Sequence, residues 1–492
     1  MSLPENGAPW PPPHLVVQYR EIAVNDAWYS GDRRRLVDVY RTERQRRPDG
    51  RRRLWGRHRS PGTDRPDTRL HIPLAGDIAS ASADLLFSEP VALAVDDAAT
   101  QDRLEVLAEA GGLANSLLEA AEVCAALGGA YLRVTWDREL VDRPLLTVMH
   151  PDRAIPEFSY GILRAVTFWR ELPGGDAATV WRHLERHERG RILHALYQGT
   201  ADHIGRRVPL TEHPDVAGLA GSLGHEGDTI TTGIDALTVA YIPNMLPNRL
   251  HRLSPWGRSD YDAPLHDLLD ALDEVWTSWL RDIRLARGRL IVPDAYLRDH
   301  GPGRGASFDY DREIWQGLSI PPTEQGGITL SQFEIRVAEH AQSAEAITRQ
   351  AVQSAGYSPA TLGMEDQAAI TATEVKARER RSMTTRKKKV RYWTPGIAEI
   401  LHVLLLIDRQ LFGSRIVPAR PRVTVGAAVS EDPASVAQTL SLLAQAQAVS
   451  VETRVRILHP DWDDADVLAE AERILVETGQ AVPDPMQAGA LA

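Results

Sequence analysis

Two amphipathic helical segments that bracket a turn-rich stretch constrain this sequence more than any other feature. The first spans about 262–285, where Asp262 can cap the helix and Pro264 fits its first turn. Its apolar residues recur at three-and-four spacing and form one stripe. They are Leu265, Leu268, Leu272, Val275, Trp276, Trp279 and Ile283. A stripe with two tryptophans predicts a helix that packs against a partner.

The second segment, about 332–355, carries a stripe of mostly small residues and ends at Gly356, a typical helix stop. Its stripe contains Val337, Ala341, Ala344, Ile347 and Ala351. Small residues let a neighbouring helix approach closely. The stretch between the two helices, 287–330, contains a β-like run at 289–293 and clusters of Gly and Pro. Together these segments predict a finger made of a two-helix stem and a small β insertion.

A loop and a third helix follow the stem. Residues 356–370 contain two Gly and a Ser-Pro pair, which predicts an exposed loop. Thr371 and Glu374 have the spacing of a capping box and open a longer helix. Because proline removes a backbone donor, we expect this helix to be kinked and interrupted at Pro395-Gly396 and to resume over 397–411.

The remaining sequence mixes helical and β-type patterns, which predicts an α+β fold. Short β-type runs fill about 130–245, with a hairpin of 179–188 and 191–197 around Arg189-Gly190. Further helices are expected at 14–45, with a break at 30–32, and at 75–87, 112–127, 433–448 and 464–477, with a strand at 422–425.

Three histidines in the β hairpin, His183, His187 and His194, resemble a metal cluster at first sight. Two residues four apart on a strand lie about 13 Å from each other, too far to share an ion. We therefore interpret them as surface histidines. The one cysteine, Cys124, lies in an Ala/Leu-rich stretch and is expected to be a small buried hydrophobe.

Charge is unevenly distributed along a chain whose net charge is −11. The segment Arg33–Arg59 contains 12 arginines and three acidic residues. The second basic band contains nine cations and only Glu379 as an acid. Its cations are Lys376, Arg378, Arg380, Arg381, Arg386, Lys387, Lys388, Lys389 and Arg391. The body outside both segments is strongly acidic.

Both bands allow more than one interpretation. At 100° per residue, the nine cations are distributed around the whole circumference of the helix, so we expect no face of this helix to lie in a dry core. They then form a solvated surface paired with acidic neighbouring subunits, a direct DNA contact, or a contact with another partner. The arginines of 33–59 belong either to a solvated arm or to a capsid or scaffold contact.

Catalytic and membrane signals are weak. The Gly-rich stretch 301–305 lacks the Gly-Lys-Ser/Thr of a phosphate loop, and no serine-elbow or paired-cysteine metal motif is present. We therefore expect no enzyme activity and no cofactor, which argues against a nuclease or packaging ATPase. The longest aliphatic run, 403–407, is far shorter than a membrane span, and the Pro-rich start does not resemble a signal peptide.

The order of these parts resembles the portal proteins of long-tailed bacteriophages. Three stretches carry the likeness: IPLAGDIASASADLLFSEPV at 72–91, GRSDYDAPLHDLLDAL at 257–272, and AGYSPATLGMEDQAAITATEVKARERRSMTTRKKKVRYW at 355–393. The likeness extends over about 14–480. The Arg-rich stretch 46–59 and the Pro-rich start have no counterpart in it.

The resemblance implies a portal fold with an α/β wing, a two-helix stem, a small α/β clip, a long kinked helix and an α-helical crown. The implied parts are an arm with Arg-rich segment at 1–60, wing at 61–256, first stem helix at 257–286, clip at 287–330, second stem helix at 331–356, tunnel loop at 357–370, kinked wing helix with return strand at 371–430, crown at 431–480 and tail at 481–492. In this scheme Leu268, Leu272, Val275, Trp276, Trp279 and Ile283 pack the stem. Tyr357, Ser358, Thr361, Met364, Glu365, Asp366 and Gln367 are candidate channel-facing residues of the tunnel loop.

The resemblance also implies a function and partners. It indicates a ring of twelve subunits at the capsid vertex, assembled in the host cytoplasm, through which double-stranded viral DNA is packaged and ejected. Expected partners are the terminase large subunit, a head-tail adaptor, the major capsid protein and a scaffold, with no membrane contact. The alternative is another structural head protein, such as a minor capsid protein or head-tail adaptor.

Overall fold

The computed structural model describes residues 3–46, 69–176, 179–219, 228–286, 335–364, 372–426, 433–446, 448–459, 462 and 464–478, together with four short strands between 289 and 331. The chain divides into two compact units. The first comprises Met1–Glu365 and Glu379–Gly426, and the second comprises Asp366–Arg378 and Ala427–Ala492.

Helices and strands alternate irregularly along the chain. The helices are α1 (Val16–Ser30), α2 (Arg33–Arg46), α3 (Leu74–Phe87), α4 (Ala98–Ala110), α5 (Leu113–Leu127), α6 (Pro214–Ala217), α7 (Ala263–Leu285), α8 (Val337–Ala355), α9 (Ala372–Phe412), α10 (Pro433–Gln445), α11 (Val451–Leu458) and α12 (Asp464–Glu477). The strands are β1 (Ala92–Ala94), β2 (Gly129–Thr135), β3 (Leu145–Met149), β4 (Ala154–Ser159), β5 (Ile162–Leu172), β6 (Val180–Glu188), β7 (Arg191–Gly199), β8 (Arg206–Val208), β9 (Thr229–Thr231), β10 (Val239–Pro243), β11 (Arg289–Ile291), β12 (Arg298–Asp299), β13 (Ala306–Ser307), β14 (Thr329–Ser331) and β15 (Arg422–Thr424).

The described strand pairs are all antiparallel. The largest sheet has the order β4-β5-β6-β7-β8, with β9 also paired to β7, and a three-stranded sheet has the order β10-β2-β3. Smaller pairs are β1 with β15, β11 with β14 and β12 with β13. The predicted α+β class is therefore confirmed, and β11 and β14 close the base of the insertion between α7 and α8.

The predicted β hairpin is confirmed as β6 and β7. Glu188 pairs with Arg191, so Arg189-Gly190 forms a two-residue turn. Gly190 has a φ of +79°, which a glycine adopts without a steric penalty. The break at 30–32 is confirmed as well, because Gly31 ends α1 in a left-handed conformation and the Asp32 carboxylate accepts a hydrogen bond from the Arg34 amide at 2.7 Å.

The Pro-rich N-terminus docks on the connection between β7 and β8 of the large sheet. Trp10 N–H donates to the Asp202 carbonyl at 2.8 Å, and Ile204 N–H donates to the Ala8 carbonyl at 2.9 Å. The Trp10 ring is buried and lies edge-on to Trp169 at 5.3 Å. These contacts give backbone groups of this connection hydrogen-bond partners.

The core of the first unit lies in two main clusters. One joins Trp28 of α1, Ile78 of α3, Leu269 of α7 and Val352 of α8, so the root of the stem is part of the core. The other joins α4, α5 and β2 to the C-terminal half of α9, and its buried members include Leu104, Leu117, Leu132, Ile397 and Leu404.

Helix α9 runs without a break through Pro395, so the predicted interruption at Pro395-Gly396 is wrong. Trp393 and Ile397 are buried on either side of the proline, and this packing holds the helix together across the missing backbone bond. By length and composition, Glu379–Phe412 could also cross a membrane. In this structure half of that apolar stretch is buried within the protein, as in a core helix.

The second unit contains α10, α11 and α12. Val455 of α11 packs against Val467 and Ala471 of α12 in a small cluster of its own. The predicted helix at 464–477 is confirmed with the same bounds, and the one predicted at 433–448 is confirmed but ends at Gln445. Helix α11 was missed, although Ser450 signals its start by accepting a hydrogen bond from the Thr453 amide at 3.2 Å. In the first unit α4 was missed too, and Asp97 caps it in the same way.

Candidate functional site

The two predicted stem helices form an antiparallel hairpin. At its root, the Tyr357 hydroxyl just after α8 donates to Asp260 just before α7 at 2.7 Å. At its tip, Asp282 of α7 accepts hydrogen bonds from Arg336 at 2.8 Å and His340 at 2.9 Å. These two bonds, first from His340, lower the pKa of the Asp282 carboxyl. Helix α8 begins at Val337 rather than at 332.

The stem stripe of α7 is buried at the root and open at the tip. Leu272 is buried, and Leu268, Val275 and Trp276 pack partly against the core. Trp279 stacks on Trp276, with ring centroids 5.0 Å apart.

Further along, the tip of α7 is open, with Ile283 45% exposed. On α8, Val337 is 50% exposed and Ala341 is also exposed, so the predicted stripe of α8 packs only from Ala344 onward. Apolar area at the tip is therefore free to contact another molecule.

Asp262 occupies the N-cap position of α7, and Pro264 lies in the first turn as predicted. The predicted side-chain cap is wrong, because the carboxylate accepts no hydrogen bond from the helix. It lies 3.7 Å from the guanidinium of Arg258 instead. Burial raises the pKa of Asp262.

A cluster of buried polar side chains fixes the stem to the body, and we call it the stem-root cluster: Ser82, Asn244, Asp260, Tyr357 and Lys389. Lys389 Nζ donates to Asp260 Oδ2 and to Ser82 Oγ, both at 2.6 Å. Asn244 Nδ2 donates to Asp260 Oδ1 at 2.8 Å. Burial, then the Asp260 charge, raises the pKa of Tyr357 well above its usual value. The cluster joins α3, the segment before α7, the end of α8 and α9.

The basic band divides into two groups. Lys389 is 1% exposed, and Arg386 donates to the Leu85 carbonyl at 2.6 Å and to the Gly426 carbonyl. The expectation that no face of this helix lies in a dry core is therefore wrong, and Lys389 is not available to DNA or to a neighbour. The remaining described cations are exposed: Arg380, Arg381, Lys387, Lys388 and Arg391. The side chains of Lys376 and Arg378 lie outside the described residues.

The expected exposed loop after α8 is wrong for its first residues. Tyr357 and Ser358 are 1% and 3% exposed, and Thr361 shares a hydrogen bond of 2.7 Å with Ser382 of α9. Tyr357 and Ser358 are therefore buried at the end of the stem, where Asp260 binds Tyr357 and Ser382 of α9 binds Ser358. Met364 is half-buried. Glu365, Asp366 and Gln367 lie outside the described residues.

Asp273 of α7 holds two chain segments that are far apart in sequence. Its carboxylate accepts hydrogen bonds from the Tyr40 hydroxyl at 2.5 Å and from the Ile72 amide at 2.9 Å. His71 Nδ1 lies 3.0 Å from it. In the sequence, Tyr40 precedes most of the Arg-rich segment and His71 follows it. The chain before and the chain after that segment therefore both contact the stem helix at one carboxylate.

The interpretation of three surface histidines is wrong. His183, His187 and His194 are buried, and His183 Nε2 lies 3.2 Å from His194 Nδ1. His183 and His194 meet across neighbouring strands, because Leu184 pairs with Ala195 in the register. Among the described residues, no group of three or more His, Cys, Asp or Glu side chains could hold a metal ion. Cys124 is fully buried, as expected, and burial raises the pKa of its thiol.

Sequence reasoning found the stem but missed the stem-root cluster and the Asp273 contacts. A helical hairpin fastened to its body by buried charges, with apolar area open at its tip, suits a structural subunit that assembles with others. This is the class of protein that the described site defines.

A family profile described as phage portal protein, SPP1 Gp6-like, matches residues 13–484. The chain belongs to that family, as the sequence predicted. It is therefore a structural and non-enzymatic component of the virion at the portal vertex, where DNA is packaged. The alternative of a minor capsid protein or adaptor is thereby excluded.

The chain is similar to several solved structures. One is a chain of the virion of a native gene transfer agent particle, with 14% identity, 78% of this chain and 89% of that chain covered, and a TM-score of 0.43. Another is a chain of the neck of the native particle computed with C12 symmetry, with 15% identity, the same coverage and a TM-score of 0.38. A search of curated proteins found no match.

Proposed function

We propose that copies of this chain form a closed ring of twelve around a channel for double-stranded DNA, with the α7/α8 hairpins side by side as the stem. The observation that carries the proposal is the open apolar tip of the hairpin. Ile283 on α7 and Val337 on α8 are about half exposed in the single chain, beside the stacked pair Trp276 and Trp279. Burying one such aliphatic side chain stabilises association by roughly 1–2 kcal/mol, and a ring repeats this gain at every interface.

The two sides of the hairpin differ in a way that suits a ring. The α7 side offers bulky Ile283, whereas the outer face of α8 carries Ala338, Ala346 and the paired Glu345 and Arg349. A bulky edge that meets a small-residue face on the next copy makes a head-to-tail contact. Repeated head-to-tail contacts close into a ring, with no subunit left at an end.

We further propose that the parts of the chain have the roles that the family resemblance implies. Residues 61–256 with 371–430 form the wing, whose edge contacts the major capsid protein and scaffold, and 431–480 form the crown. Residues 287–330 form the clip, which binds the terminase large subunit and later the head-tail adaptor. Twelve subunits is the working number that the resemblance of the sequence to portal proteins implies. An overall charge of −11 suits a conduit along which DNA must slide without tight binding.

Disulfide trapping tests the stem contact. One population of subunits carries Ile283→Cys and the other carries Ala338→Cys, two positions near the same end of the hairpin. The native Cys124 is buried and does not interfere. Co-assembled populations should give covalent dimers on mild oxidation, and each population alone should not, because the contact is head-to-tail.

The matched control places the same two cysteines at Tyr160 and Leu253, which are fully exposed and lie outside both hairpin helices. This control pair should stay monomeric on oxidation. Equal cross-linking of both pairs, or none at the stem, would contradict the proposed ring contact.

A further inference from the structure

Helix α9 has a cationic face that the chain itself leaves open. Arg380, Arg381, Lys387, Lys388 and Arg391 are all exposed. At 100° per residue these five side chains fall within an arc of about 120°, and the stripe is about 16 Å long. The polar side chains that α9 buries, Ser382, Thr385 and Lys389, lie outside this arc. The exposed cations therefore form one stripe and are not scattered around the helix.

Within the described side chains, none of these five cations has an ion-pair partner. Glu399, the exposed acid further along the same helix, is itself paired with Arg420 at 3.6 Å. By contrast, Arg103 and Arg133 in the body each bind a carboxylate at 2.7 Å. Lys387 and Arg391 stand one turn apart, a spacing at which like charges repel. Among the described residues, the stripe thus has no neighbouring carboxylate that compensates its charge.

We propose that this stripe binds the phosphate backbone of duplex DNA. The proposal deepens the proposed portal function and rests on it. Between Arg380 and Arg391 the arc contains no exposed apolar or aromatic side chain, whereas the centre of a protein–protein interface is enriched in aromatic residues and depleted of Lys. Lys and Arg side chains are groups that contact phosphates without reading sequence.

The dimensions also fit. A stripe of about 16 Å runs alongside roughly five phosphates of one strand, which repeat every ~3.4 Å along the axis. Contacts of this kind depend on released counterions rather than on base identity. DNA held in this way can slide past the helix and is released by salt.

The test measures binding of a fluorescent duplex of about 30 base pairs to the full-length protein by anisotropy, between about 50 and 200 mM salt. The stripe variant replaces Arg380, Arg381, Lys387, Lys388 and Arg391 by Gln. The control variant removes the same charge from exposed arginines elsewhere: Arg20, Arg164, Arg170, Arg189 and Arg252. Sedimentation of each protein reports its assembly state.

We expect the stripe variant to lose at least tenfold in affinity at low salt and to show a shallower salt dependence, by about 0.9 per lost phosphate contact. The control should change less than threefold. Equal binding by both variants overturns the inference. A stripe variant that no longer assembles, beside a control that does, assigns the stripe to a subunit contact and also overturns it. Stripe-dependent binding by a chain that stays monomeric upholds the DNA surface and contradicts the ring.

Discussion

Lys389 Nζ lies 2.6 Å from Asp260 Oδ2, and both side chains are almost completely buried. The pair connects α9 to the entry of the stem. A buried charge is tolerated only when it is paired and hydrogen-bonded, and here Ser82, Asn244 and Tyr357 complete the set. The stem is thus fixed to the body by electrostatics as well as by apolar packing.

Removing one member of this pair should destabilise the protein. We expect Lys389→Met to cost about 3–5 kcal/mol, because Asp260 is left as an uncompensated buried charge. Thermal unfolding should show a midpoint lower by several degrees. The adjacent and exposed Lys388→Met is the control and should change the midpoint little. A double variant, Asp260→Asn with Lys389→Met, should lose less than the sum of the single changes. If the losses of stability in the two single variants simply added up in the double variant, Asp260 and Lys389 would not be coupled.

Buried histidines should make the fold sensitive to acid. Burial, then the neighbouring His194, lowers the pKa of His183 to about 4, and burial lowers that of His266 to about 4. Between about pH 6.5 and 4 the unfolded chain binds protons that these folded side chains do not. Stability present at pH 7 is therefore lost as the pH falls through this window.

The measurement compares unfolding midpoints at pH 7.5 and 5. His183→Gln should show a smaller drop than the unmodified protein, since one depressed titration is removed. His203→Gln, at an exposed position, should leave the drop unchanged. An identical drop in all three proteins would show that His183 does not contribute.

Two backbone segments cross so closely that a methyl group cannot be accommodated. A Cβ added at Gly257 would lie 2.2 Å from the Gly128 carbonyl oxygen. We expect Gly257→Ala to destabilise the stem entry by about 1–3 kcal/mol through overpacking. Gly218→Ala, where no atom lies within 4 Å of the added Cβ, should be neutral or slightly stabilising. Equal thermal midpoints for the two variants would contradict this account of the crossing.

The contacts of Asp273 should be visible in backbone dynamics. Asp273→Asn removes the charge and one acceptor from a site that holds Tyr40, His71 and the Ile72 amide. We expect a loss of about 1–3 kcal/mol and faster hydrogen exchange at the Ile72 amide. Glu274→Gln, at the next and exposed position, is the matched control. Unchanged exchange at Ile72 in Asp273→Asn would contradict the role of this carboxylate.

Periodicity predicted the stem hairpin and the β6/β7 hairpin, because both depend on residues close in sequence. It could not separate Lys389 from Lys387 and Lys388, three identical side chains of which only one meets a carboxylate 129 residues away. The three histidines were misjudged for the same reason, since their burial comes from strands and segments that pair with β6 and β7 over a distance. At Pro395 the error is the opposite one. Proline locally favours an interruption of the helix, but the buried side chains before and after it keep the helix continuous.

Electron microscopy of the purified full-length protein tests the central claim most directly. Hairpins that pack side by side around an axis should give end-on views of a ring with a central opening wide enough for duplex DNA, with twelve repeats. Particles that remain single subunits at high concentration, or that associate without a central opening, would contradict the account.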